Sequence, residues 1–344
     1  MAALGIHLPD RITSTQQAID SGWYDPDDLA EAGLTGVPEA GSQAAPDMAV
    51  LAAEDCLKRA SAPPADIDLL VHASAFLQGP EMWSPAAYIL RELGGPDVLA
   101  LEVRQGCNGM FAALEVAAAL MEAVPQRRTA LLTAADNVNS PLVDRWRSGG
   151  PAFILGDAGC ALLLTRNAGF ARLRSLRSLT VPALEGMHRG AEPLHPPGAT
   201  SERPVDLASR AAHFGRHSIP LAEVTSIVAA RQAETARAAL GDAGLIAEDA
   251  TVVLHANAAR WLVEPWMAAL GLPMSRSAWE FGTAIGHLGS SDHLFLLDRL
   301  LAAGRLHRGD HVLMMGSAPG FSIAAAVLEV TEERSWANPS RSSA

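Results

Sequence analysis

Two stretches of this chain finish alike. Residues 153–164, FILGDAGCALLL, and residues 311–330, HVLMMGSAPGFSIAAAVLEV, each read as an apolar strand, a glycine-containing turn and a second apolar strand. Identity between them is low, but the order of elements is the same, which implies two copies of one α/β unit packed together. Length agrees: 344 residues, 49% of them hydrophobic, bury more core than a single pair of layers needs.

Elsewhere strands and helices alternate. Met48, Leu51, Ala52, Cys56 and Leu57 recur at the helical period and predict a helix over 46–60. The unbroken apolar run IDLLVHASA predicts a buried parallel strand over 67–75. Further helices are expected over 85–93, 219–243, 261–270 and 292–303, and further strands over 98–103, 129–133 and 250–254. Between them, 170–218 is irregular and holds several prolines with His188, His195, His213 and His217. The expected organisation is a half over 1–168, a cap or linker over 169–218, a second half over 219–334 and a frayed tail over 335–344.

The stretch 101–124, LEVRQGCNGMFAALEVAAALMEAV, places Cys107 where a strand turns into a helix of small and apolar residues. Unpaired backbone N–H groups and the positive end of the helix dipole stabilise a thiolate there and make it nucleophilic. Gly106 and Gly109 leave room for a ligand to approach the backbone. The same position also reads as a buried core cysteine, and the local pattern leaves both readings open.

A formal net charge of -12 without a Lys/Arg cluster argues against nucleic acid or an anionic membrane as partner. Cys56, Cys107 and Cys160 are too few and too scattered for a disulfide framework or a zinc site, so no metal is expected and a reducing cytoplasm fits. No signal peptide and no apolar run long enough to span a bilayer is read in the chain.

The elbow cysteine, the Gly156-Asp157-Ala158-Gly159 turn, the strand-end histidine of HANAAR, the GHLGSSD stretch and the terminal GSAPGF turn occur in that order. In this the chain resembles the ketoacyl-ACP synthase III group of the thiolase superfamily over nearly its whole length. The resemblance implies the α/β, thiolase-like five-layer αβαβα fold of two duplicated halves, and a homodimer. It also implies that Cys107 accepts an acyl group as a thioester from an acyl carrier protein or coenzyme A, with no other cofactor. His255 matches the family histidine, Trp83 an aromatic of the acyl pocket contributed across the dimer interface, and Leu155 a pocket-lining position. Arg260 matches an arginine associated with carrier docking. Core roles for Trp83 and Leu155 and a solvated helix position for Arg260 fit the sequence equally well.

Departures from the family pattern narrow the chemistry. Where decarboxylating condensing enzymes of the group have asparagine, this chain has His287, with Asp292 five residues on, at the start of a helix. A carboxylate-steadied histidine suits deprotonation of Cys107 or of an acceptor hydroxyl better than stabilisation of an enolate. Asp292 also reads as a helix cap. The terminal turn carries Pro319 where the family turn is glycine-rich, and proline has no N–H to offer a thioester oxygen. AGLTGV at 32–37 lacks the tryptophan and arginine that coenzyme-A-handling members carry near an RTGI-like motif, which favours a carrier-protein donor.

The pattern is similar to the ketosynthase-III-like acyltransferases that esterify sugars or related groups in natural-product pathways. Acyl transfer through Cys107 to a hydroxyl of a sugar or polyketide acceptor is therefore the expected reaction, with His287, Asp292 and His255 in the site. A decarboxylating starter-unit condensing enzyme and a non-catalytic ketosynthase-like partner subunit are the alternatives.

Overall fold

Alternation within the strands decides how the layers stack. The computed structural model describes residues 1–167, 169–195 and 203–333, and the tail expected over 335–344 lies outside them. In chain order the strands are β1 (Ala3–His7), β2 (Ile12–Ser14), β3 (Gly36–Pro38), β4 (Leu69–Ser74), β5 (Leu99–Arg104) and β6 (Thr129–Asp136). Then come β7 (Ala158–Thr165), β8 (Ala171–Thr180), β9 (Ala250–Leu254), β10 (His311–Ala318) and β11 (Ser322–Val330). On β4, Leu69, Val71 and Ala73 face one core cluster, while Leu70 faces another. On β10, Val312 and Met314 join the first cluster and Leu313 and Met315 a third. Both sheets are thus apolar on both faces and need a helical layer on each side.

Those layers are present. Helix Ala45–Ala60 covers the outer face of one sheet and Leu221–Asp242 the outer face of the other. Helices Gly109–Ala123 and Asp292–Ala302 fill the space between the sheets. The result is the five-layer α/β arrangement of the thiolase fold. No helix among the described residues is long and apolar enough to cross a membrane.

Strand order exposes the duplication. One large sheet runs β1-β7-β6-β4-β5 and the other β8-β11-β10-β9, while β2 and β3 pair as a small third sheet. In each large sheet, the first two pairings are antiparallel and the third, β6 with β4 or β10 with β9, is parallel. Strand β8 therefore stands where β1 stands, at an edge. This differs from the reading of 169–218 as cap throughout: its first residues belong to the second sheet. Arg172, Arg174 and Arg177 on the exposed face of β8 hide the strand pattern, whereas Leu173, Leu176 and Leu179 turn inward. Beyond β8, Leu184 and Phe214 pack on Phe321 and Ile323, so these residues lie over the terminal turn. His188 is half-buried there, its ring 5.2 Å from that of Phe321.

Candidate active site

The site is built where two corresponding helices begin. Strand β5 ends at Arg104, and a tight turn over Gly106–Asn108 carries Cys107 directly into helix Gly109–Ala123. Gly106 sits at φ +54°, a region an L side chain avoids, and a Cβ on Gly109 would fall 2.5 Å from Ser290 Oγ. The helix start is therefore flush against the second half. Ser290 Oγ donates to the carbonyl of Gly106 at 2.7 Å and closes the seam.

From the second half comes His287. Its backbone is fixed on both sides, N–H to Ile154 O at 2.8 Å and C=O from Gly156 N at 2.9 Å. Its Nε2 lies 2.8 Å from Cys107 Sγ, and its Nδ1 lies 2.5 Å from Asp292 Oδ2. With the Nδ1 proton shared with Asp292, Nε2 is left to exchange a proton with sulfur. Asp292 is fully buried at the first residue of helix Asp292–Ala302. Its Oδ1 accepts from Leu288 N at 2.7 Å and Asn257 Nδ2 at 3.0 Å, and its Oδ2 also accepts from Asn257 N at 2.8 Å. Burial opposes a charged imidazole at 287, but a Cys107 thiolate and the Asp292 carboxylate outweigh it and raise the histidine well above its ordinary value. The group can hold a thiolate–imidazolium pair. Phe153, its ring centroid 5.1 Å from the imidazole, shields one side.

His255 is hydrogen-bonded to groups other than the sulfur. Its Nδ1 donates to Ala256 O at 2.8 Å, its Nε2 lies 2.6 Å from Ser277 Oγ, and burial pushes its pKa down to about 4. Neutral and engaged at both nitrogens, the ring has no N–H left to offer the site. The motif was legible, but the direction of a side chain at a strand end was not.

Leu155 is buried beside the site and pairs with His287 through an isolated bridge. The strand expected before Gly156 is absent: residues 154–156 form a strap that holds His287 by its backbone. Behind the strap, Asp157 is fully buried and accepts from Ala40 N and Val138 N, both at 2.8 Å, and from Arg145 Nη2 at 3.0 Å. Trp83 is half-exposed on the loop after β4, its ring 5.5 Å from that of Tyr88. Arg260 opens helix Arg260–Leu270, pairs with Glu264 at 2.8 Å and lies over the Trp279 ring at 5.4 Å. Pro319 lies against the elbow: a Cβ on Gly106 would come within 2.9 Å of its Cδ.

Three nearby groups went unread in the sequence. Asn257 stands two residues after His255 in the same motif, and Phe153 lay inside the presumed strand. Asp136, at the end of β6, accepts from Ala75 N at 2.9 Å and Phe76 N at 3.1 Å. Burial pushes its carboxyl up to about 7. It also faces the second half, since a Cβ on Gly289 would fall 2.6 Å from its Oδ2.

Known proteins resemble this chain in sequence and fold. The family model of 3-oxoacyl-[acyl-carrier-protein] synthase III matches residues 101–178, and the model of its C-terminal part matches residues 240–330. β-Ketoacyl-[acyl-carrier-protein] synthase III of Sphingopyxis alaskensis is 27% identical over 283 residues, 81% of this chain and 82% of that protein. The solved structure of ChlB3, an acyltransferase, is 45% identical with a TM-score of 0.90, covering 97% of this chain and 98% of that one. The priming β-ketosynthase of the R1128 polyketide pathway is 22% identical with a TM-score of 0.79 over 96% of both chains, a likeness of fold. The chain belongs to the β-ketoacyl-[acyl-carrier-protein] synthase III-like family of acyl-handling enzymes.

Proposed function

We propose that the protein is an acyltransferase that moves an acyl group from a carrier-protein or coenzyme A thioester, through Cys107, to a hydroxyl of a sugar or polyketide acceptor. The observation that carries this reading is the unbroken line Cys107 Sγ, His287 and Asp292, at 2.8 and 2.5 Å. The thiolate attacks the thioester carbonyl, an S-acyl bond forms on Cys107, and the departing thiolate takes the proton from His287 Nε2. An acceptor hydroxyl then gives its proton to the neutral Nε2 while its oxygen attacks the acyl-enzyme. The ester leaves, and the thiolate–imidazolium pair returns.

Decarboxylating condensation would leave an enolate to be stabilised, for which a second imidazole with a free N–H is suited. His255 has given its N–H to Ala256 O, which favours ester formation. The 45% identity to a protein named as an acyltransferase supports the same reading.

Intact mass after incubation with an acyl thioester tests the first step. The expected result is one acyl adduct on the wild type and none on Cys107→Ala. An adduct on both forms, or on neither, sinks it. Adding a hydroxyl acceptor should discharge the adduct as an ester. Carbon dioxide release with chain extension on malonyl carrier would instead identify a condensing enzyme, and His287→Ala without effect on product would point to a non-catalytic subunit.

A further inference from the structure

Asp292 occupies an unusual setting: fully buried, it meets a hydrogen-bond donor at each of four positions, and two of the four belong to one residue. Asn257 gives its backbone N–H to Oδ2 at 2.8 Å and its side-chain NH2 to Oδ1 at 3.0 Å, gripping both oxygens of the carboxylate from one side. Leu288 N and His287 Nδ1 occupy the other two positions. A carboxylate held at both oxygens cannot turn, so the oxygen aimed at His287 stays aimed.

The remaining contacts of Asn257 favour a dedicated role. Its Oδ1 is buried and has no hydrogen-bond partner, so the acceptor half of the amide secures nothing. Gly282 is what admits it: a Cβ there would fall 2.1 Å from that oxygen. A buried, half-unsatisfied amide costs stability, and the one thing its donor half contacts is Asp292. The backbone N–H survives substitution, but the side chain of an aspartate in this place would donate only while protonated, and that of a leucine not at all.

We propose that Asn257 is a positioning residue of the acyl-transfer reaction, a two-point clamp that fixes Asp292 so that His287 presents Nε2 to Cys107. The proposal rests on the reading of Cys107 as the acyl acceptor. Other titratable groups surround the carboxylate: His255 and His293, both held neutral by burial, Cys160 and Asp136 on β7 and β6, and Cys107 beyond His287. None of them bonds to Asn257, so changing the amide removes the side-chain point of the clamp and leaves the backbone one in place.

The test compares Asn257→Leu and Asn257→Asp with the wild type in two readouts, acyl-transfer kinetics and the pH profile of Cys107 alkylation by iodoacetamide followed by peptide mass. Asn257→Leu should lower kcat by about tenfold or more, as for loss of a hydrogen bond to a charged group, with KM for the thioester donor unchanged. Its alkylation profile should move to higher pH. Asn257→Asp should retain activity at the acid end and lose it as pH rises, a limb the wild type lacks. A folded Asn257→Leu with wild-type kcat and profile overturns the clamp. If that variant does not fold, an Asn257→Asp profile parallel to the wild type overturns it. Wild-type Cys107 reacting no faster than a free thiol would remove the proposed function as well, so the two failures are distinguishable.

Discussion

The same pair of antiparallel strands is joined in opposite ways in the two halves. Between β6 and β7 the chain leaves the sheet for residues 137–157, whereas β10 and β11 are linked by Pro319, Gly320 and Phe321 alone. The long excursion returns as the strap over 154–156 that holds His287, a residue of the second half. The short turn lays Pro319 against Gly106, beside Cys107 of the first half. Each half thus secures the reactive element of the other. Duplication supplied two equivalent connections, and their divergence made one a support for His287 and the other a cover beside Cys107.

The comparison can be broken most severely at the residue the strap holds. Replacing His287 by alanine should cut single-turnover acyl transfer by about 10³-fold, within the range for loss of a general base, while thioester binding holds. A change below tenfold would mean that the strap supports something other than the base. Gly156→Ala tests the strap itself. Its Cβ would meet Ile285 O at 2.6 Å and Leu288 and Pro38 at 2.8 Å, so the His287 loop must shift, and a loss of about 10²-fold in kcat is expected from misplacement.

Asp136 probes the seam between the halves. Its folded pKa of about 7 lies above the unfolded carboxyl value, so the native state keeps a proton that the unfolded chain releases. Its contribution is complete below about pH 4 and is lost as pH rises through about 7. Asp136→Asn should flatten that slope and raise stability at pH 8 by about 2 kcal/mol in denaturant titration. An unchanged slope would place the proton elsewhere. The smallest effect is expected at the hairpin. Pro319→Gly should lower stability by about 1 kcal/mol or less through the freer unfolded chain, while the acylation rate rises because glycine adds an N–H beside the elbow. A fall in rate would show that the ring itself is needed.

Much of this site could be read in the sequence because its key residues mark local boundaries. Cys107 is announced by a strand running into a small-residue helix, and Asp292 by the first turn of an amphipathic one. The predicted helices 46–60 and 292–303 differ from the observed Ala45–Ala60 and Asp292–Ala302 by single residues. What escaped depends on distant partners. β8 is an edge strand with arginines outward, so its pattern imitates a polar linker. Residues 153–155 are apolar and strand-like, but their neighbour is a histidine loop, not another full strand. His255 and Asn257 share one motif, and only the packing of residues 35 positions away shows that the asparagine meets the carboxylate. The histidine turns toward Ser277 instead.

The sequence distance between sulfur and imidazole, 180 positions, has a consequence for the newborn protein. During synthesis Cys107 emerges long before the residue that can take its proton, and the strap cannot hold a loop not yet made. A nascent first half therefore lacks the imidazole that its thiol meets in the finished fold, and the line from Cys107 through His287 to Asp292 forms only after the last layers have closed.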